Sequence, residues 1–184
     1  MGTVASKGQL RMSFVRWAAV FVPLVLLLGF LSGRTVAAGD DNPWYAALTK
    51  PGFTPADGVF PIAWSILYLL LGVALSMVLA ARGARLRWPA VAAFLVQFAL
   101  MLAWMPLFFG AHRVGAALGL LVAVVIISLV TASLFWRVRR TAGLLMLPYI
   151  AWVVFATVLT FEIDRLNPYA ETLVPPSGTS QMLG

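Results

Sequence analysis

The chain has no cysteine, one histidine and only six acidic residues among its 184. Without thiols there is no disulfide framework, no thiolate metal site and no cysteine nucleophile, and the redox compartment is not legible from thiol usage. The single histidine, His112, stands in a short turn without the neighbouring ligands that a metal ion requires, so it reads as a loop residue and no metal site is assigned. No HExxH helix, Glu–His relay or pair of carboxylates occurs at membrane depth, no phosphate-cradling glycine loop occurs, and no carboxylate sits within an apolar run except Glu162 at the edge of the last. These absences argue against acid–base, metal-assisted and nucleotide chemistry, and against proton-coupled transport. No catalytic residue is assigned and no cofactor is required. Charged residues make up 10% of the chain, against about a quarter in soluble domains, which excludes a water-soluble enzyme or a disordered polymer.

What fills the sequence instead is apolar: 62% hydrophobic residues and a mean hydropathy of +0.96. Five runs, at 17–36, 60–81, 88–109, 114–136 and 143–163, are each long enough to cross a bilayer, which takes about 20 residues. In lipid each must be helical, because an open strand leaves its backbone groups unpaired. The predicted fold is all-α, an integral membrane bundle of five transmembrane helices. Residues 1–16 form an N-terminal segment, 17–166 the bundle with one long loop at 37–59, and 167–184 a flexible tail rich in proline. A basic start before an apolar run also describes a cleaved signal peptide, but the run extends far enough to span, so it reads as the first helix.

The formal net charge of +7 is distributed by loop. One side carries Lys7, Arg11, Arg16, Arg82, Arg85, Arg87, Arg137, Arg139 and Arg140 with no acid; the other carries Arg34, Lys50, Arg113 and Arg165 with all six acids. The positive-inside rule then places the N-terminus in the cytoplasm and the C-terminus outside, and explains the basicity without nucleic acid as a partner. Helical spans suit a bacterial inner membrane. Two glycine pairs at helical spacing, Gly29 with Gly33 and Gly115 with Gly119, suit close helix packing, within the bundle or in a homodimer.

Seven tryptophans divide by their neighbours. Trp17, Trp88 and Trp136 each adjoin an arginine and read as interfacial anchors. Trp44, Trp64 and Trp104 fall in the long loop or at the outer ends of helices, and Trp152 lies deeper. They suit either belt and packing roles or a pocket for a large flat apolar ligand, in which Trp64, Trp104 and Trp152 form walls beneath a Trp44 lid. Gln97, two turns before Trp104 on one face, serves either a ligand or an interhelical hydrogen bond. Ser128, Thr131, Thr157 and Thr160 read as back-bonded within their helices.

The long loop reads Trp44-Tyr45-Ala46-Ala47-Leu48-Thr49-Lys50-Pro51-Gly52-Phe53-Thr54-Pro55, followed by Phe60-Pro61-Ile62-Ala63-Trp64 and Tyr68. Farther on stand Trp104-Met105-Pro106-Leu107-Phe108-Phe109-Gly110, Pro148-Tyr149-Ile150-Ala151-Trp152 and Leu159-Thr160-Phe161-Glu162 running into Arg165-Leu166-Asn167. In order and spacing this resembles the tryptophan-rich sensory protein family, bacterial relatives of the mitochondrial translocator protein or peripheral benzodiazepine receptor. The resemblance implies a five-helix bundle that retains its first helix and binds tetrapyrroles such as protoporphyrin IX and haem, sterols, and benzodiazepine-type ligands. It implies pocket roles for Trp44, Tyr45, Trp64, Gln97, Trp104 and Trp152. Met101 and Thr160 stand where the family often has Asn, and Gly52, Ala56 and Gly58 replace usual loop aromatics and proline, so a more apolar pocket under a looser lid is expected.

The sterol-recognition pattern of such proteins is represented by Leu159, Phe161 and Arg165, with Phe in place of Tyr. The leading expectation is a membrane receptor or translocator whose porphyrin-like ligand stacks on the tryptophans while its propionates meet Lys50 or Arg113. Two others accompany it. One is a light-dependent, tetrapyrrole-degrading enzyme using Trp44 and Trp152 as redox-active aromatics; the other is a scaffold that reports ligand occupancy to a protein partner.

Overall fold

A computed structural model describes residues 7–173 of the chain. Its order is α1 (Lys7–Gly33), α2 (Pro43–Ala46), α3 (Val59–Ala80), α4 (Arg87–Met105), α5 (Val114–Val138), α6 (Arg140–Leu145) and α7 (Leu147–Leu166). Five segments are long and apolar enough to cross a membrane: Arg11–Gly33, Val59–Ala80, Arg87–Gly110, Val114–Val138 and Arg140–Leu166. The protein is an integral membrane helical bundle, and residues such as Ile62, Ile66, Ile126 and Leu129 stay exposed on its lipid-facing surface.

Several boundaries differ from the sequence reading. α1 begins ten residues before position 17, because nothing between Lys7 and Arg16 breaks a helix. The fifth crossing begins as α6, separated from α5 by Arg139 in extended conformation. The third ends in a wide π turn over Pro106–Gly110, closed by Ala111 N–H donating to the Pro106 carbonyl at 2.8 Å. Pro106 has no N–H for the regular ladder, and the widened turn buries both Phe108 and Phe109.

The first part of the supposed flexible tail is packed: Ala170 is buried, Ala170–Thr172 forms a 3-10 turn, and Asn167 exchanges hydrogen bonds with the backbone of Thr49. Residues 1–6 and 174–184, the remaining parts of the expected terminal segments, lie outside the described residues.

α1 is held chiefly by α3. A Cβ at Gly72 would stand 2.8 Å from the Val22 Cα and 3.3 Å from the Phe21 carbonyl, so the two backbones approach as closely as a missing side chain permits. Gly72→Val should therefore push α1 away and cost about 1–3 kcal/mol. Thermal unfolding in detergent checks this against Gly119→Val, at a site where an added Cβ meets nothing within 4 Å. Of the two glycine pairs, Gly29 meets the Tyr68 ring inside the bundle, whereas Gly33 and Gly119 face open space.

Candidate functional site

At the loop end of the bundle, α1, α3, α4 and α7 diverge around a cavity of about 510 Å³. Its α3 wall is a stripe at helical spacing, Phe60, Trp64 and Tyr68, each four residues from the next and so on one face. Trp64 stacks on Tyr68 with centroids 5.2 Å apart and meets Trp152 of α7 edge-on at 6.5 Å. Phe60 also meets Trp152 edge-on, at 5.9 Å. Across the space, Trp104 of α4 stacks on Phe108 at 5.0 Å, an arrangement set by the π turn. Met101 and Leu121 line the deeper part, Leu159 and Thr160 the α7 side, and Tyr45 the loop side.

Polar groups are sparse and uneven in the cavity. The indole Nε1 atoms of Trp104 and Trp152 are buried and, among the described residues, without a hydrogen-bond partner, so it is the ring surfaces of these tryptophans that the walls present. Tyr45 is buried below Asp57 and Asp40; burial first, then these carboxylates, pushes its hydroxyl up to about 12, keeping it a neutral donor at physiological pH. The mouth is formed by Arg34, Asp41, Asp57 and Gly58. Among the described residues Arg34 forms no ion pair, while Asp57 accepts the Asp40 backbone N–H at 2.7 Å.

The loop above is fastened at its start, around α2. Asn42 caps α2 by accepting from the Trp44 and Tyr45 N–H groups, and its amide donates to the carbonyls of Ala37 and Phe109 at 2.9 and 3.1 Å. With Pro43 at the first helical position, this one asparagine ties α2 to the segment that follows α1 and to the π turn.

Of the residues expected to contact a ligand, Tyr45, Trp64, Met101, Trp104, Trp152 and Thr160 line the cavity together. Trp44 does not. It is turned away and fully buried, its Nε1 donates to the Ala170 carbonyl at 2.8 Å, and its ring stacks on His112 at 4.4 Å. His112 holds a left-handed φ of 56°, an unusual conformation for a non-glycine residue, in making that stack. Gln97 lies below the cavity, fully buried.

Lys50 is engaged by Asp40 and sits 4.6 Å over the Tyr45 ring; Arg113 pairs with Glu171 at 3.3 Å. Neither cation lines the cavity. The three sterol-pattern residues split: Leu159 points inward, Phe161 is exposed, and Arg165 is exposed and bonded to Glu162. Positions two apart on a helix cannot share a narrow face, which is why the pattern does not assemble.

Sequence reasoning passed over Arg34, Phe60, Tyr68 and Phe108 as site residues. For the three aromatics the signal was available as the four-residue spacing from Trp64 and Trp104. Arg34 follows directly on α1, and only the fold shows it turned to the mouth rather than simply outward.

Fold and site together define a five-helix integral membrane protein enclosing an aromatic cavity open at one end. Residues 21–166 match the TspO/MBR family, and the chain belongs to it. It is similar to Protein CrtK of Rhodobacter capsulatus, 35% identical over 158 residues that cover 85% of this chain and 96% of that protein. Tryptophan-rich protein TspO of Chlorobaculum tepidum is 36% identical, covering 82% of this chain and 95% of its own. The translocator protein of Homo sapiens is 34% identical, with 76% and 84% covered.

Proposed function

We propose that this TspO-family membrane protein binds a tetrapyrrole, protoporphyrin IX or haem, in the aromatic cavity. The observation that carries the reading is the set of flat aromatic walls, Phe60, Trp64, Tyr68, Trp104, Phe108 and Trp152, around one cavity. Such walls suit a planar conjugated body. The cavity's volume falls within the range of roughly 300–1,000 Å³ common for small-molecule sites. Arg34 replaces Lys50 and Arg113 as the residue that meets a propionate, since it lines the mouth and is unpaired there. Asp41 and Asp57 beside it favour one carboxylate on Arg34 with the other in solvent. The split sterol pattern makes a sterol the weaker candidate. With the arginine-rich end taken as cytoplasmic, the mouth faces the outside of a bacterial inner membrane.

A saturable quench of tryptophan fluorescence on titration with protoporphyrin IX is the expected result in detergent. Arg34→Ala should weaken that ligand about 5- to 20-fold, the loss of one charge-assisted hydrogen bond, and leave its dimethyl ester unaffected. Lys50→Ala should do little to either. Absence of saturation sinks the tetrapyrrole reading, and a larger loss from Lys50→Ala sinks the assignment of Arg34. Photodegradation would have to use Trp152 rather than Trp44, because only Trp152 borders the cavity; a new absorbing product under illumination is its readout.

A further inference from the structure

Two short turns close the bundle at the end opposite the cavity, and each carries three arginines: Arg82, Arg85 and Arg87 between α3 and α4, and Arg137, Arg139 and Arg140 between α5 and α6. The fold brings these turns together. Phe94, two helical turns after Arg87, stacks on Phe135, one turn before Arg139, with ring centroids 5.9 Å apart. α6 packs on α3, and its Ala142 shares one core with Val78 and Leu79 at the end of that helix.

Both turns are built rigidly. Gly83 takes a left-handed φ of 82°, which lets the chain reverse between Ala80 and Arg87. In the second turn the Arg139 N–H donates to the Phe135 carbonyl at 2.6 Å, and a Cβ at Gly143 would stand 2.8–2.9 Å from Trp136, so α6 is pressed against the end of α5. Charges on such a frame cannot spread apart as they would on a mobile loop.

Arg87 is half-buried and the other five arginines are exposed. Among the described residues none of the six forms an ion pair; the salt bridges and all six acids lie at the cavity end. Six like charges therefore stand together without a counter-charge from the protein. Their height in the bilayer is that of the headgroups, marked by Trp88 and Trp136, 64% and 46% exposed, at the level interfacial tryptophans occupy. The Arg87 guanidinium lies 4.7 Å over the Trp88 ring. A stacked guanidinium still presents its edge, which forms paired hydrogen bonds to a phosphate.

The positive-inside rule accounts for the sign of these turns, but asks neither that they converge nor that they be rigid. Converged guanidiniums flanked by interfacial indoles are the features that hold a lipid headgroup. Two adjacent triads suit a headgroup with two phosphates better than one with a single phosphate.

We propose that this end of the bundle is a binding site for an anionic phospholipid whose headgroup carries two phosphates. The headgroup lies between the Arg82–Arg87 and Arg137–Arg140 turns, with the acyl chains beside Trp88 and Trp136. The site is independent of what the cavity binds.

Titration of the full chain in neutral detergent with tetraoleoyl cardiolipin, read by native mass spectrometry, tests the site. One cardiolipin per protein is expected, held about tenfold or more tighter than dioleoyl phosphatidylglycerol. Arg87→Gln and Arg139→Gln should each weaken it about 5-fold, whereas Arg165→Gln, which removes an exposed arginine at the other end, should leave it unchanged. Unfolding temperatures are measured alongside, and the exposed Arg82→Gln takes the place of Arg87→Gln if the latter lowers stability. Failure to retain cardiolipin overturns the proposal. So does equal retention of both lipids with equal losses from all variants, the mark of unspecific charge attraction. Displacement of cardiolipin by inorganic pyrophosphate or by an acidic peptide at comparable concentration also overturns it, assigning the arginines to a soluble anion or to a protein.

Discussion

Replacing Trp44 by alanine is expected to remove about 3–5 kcal/mol of stability, the cost of deleting a buried tryptophan. Its ring is 1% exposed, stacked on His112, edge-on to Phe108 at 5.4 Å, and bonded through Nε1 to the Ala170 carbonyl. One side chain thus joins the loop, the π turn and the segment after α7. Its loss should release all three, lowering the unfolding temperature in detergent and speeding proteolysis near residues 167–173. Trp44→Phe retains part of the packing and loses the hydrogen bond, so a smaller effect is expected. The contrast with a lid role is direct: a lid residue would lose ligand affinity with stability intact, whereas Trp44→Ala should lose stability first. An unfolding temperature equal to that of the parent would remove Trp44 from the packing role.

Trp152→Ala should have its main effect on binding. A central aromatic in a desolvated pocket commonly contributes about 2–3 kcal/mol, so affinity for protoporphyrin IX should fall by roughly 30- to 150-fold. Two causes combine. The face that stacks is lost. In addition the same ring separates the cavity from a lipid-facing groove lined by Ile66, Ala151 and Phe155, so its removal opens the wall between α3 and α7. Trp152→Phe keeps the separation and most of the stacking, and its expected loss is about tenfold or less, the value of one aromatic pair. Titration by fluorescence or calorimetry gives both numbers; an unchanged affinity in the alanine variant would place the ligand elsewhere.

Most of the site's wall was legible from spacing and resemblance. Trp64, Trp104 and Trp152 were isolated by position, and Phe60, Tyr68 and Phe108 repeat at intervals of four on the same faces. What escaped was direction. Trp44 and Tyr45 are consecutive on one turn of α2, both buried, yet Tyr45 lines the cavity and Trp44 packs behind it. No local pattern distinguishes them, because the choice depends on Ala170 and His112, which lie far along the chain. Lys50 and Arg113 are similar: each stands near the right aromatics in sequence, but Asp40 and Glu171 neutralise them in space.

The amino-acid sequence alone determined that this is an all-α membrane protein, how many times it crosses, which end is basic, and which aromatic residues stand near the opposite end. Those features depend on local quantities, namely the length of an apolar run, the count of arginines in a loop and the period of a helix. Tertiary structure decided which tryptophan packs and which faces the cavity, and which cation at the cavity mouth is left without an ion pair among the described residues. Each of these is a contact between residues distant in the chain, set by how closely the helices approach and by which polar atoms find partners when they do.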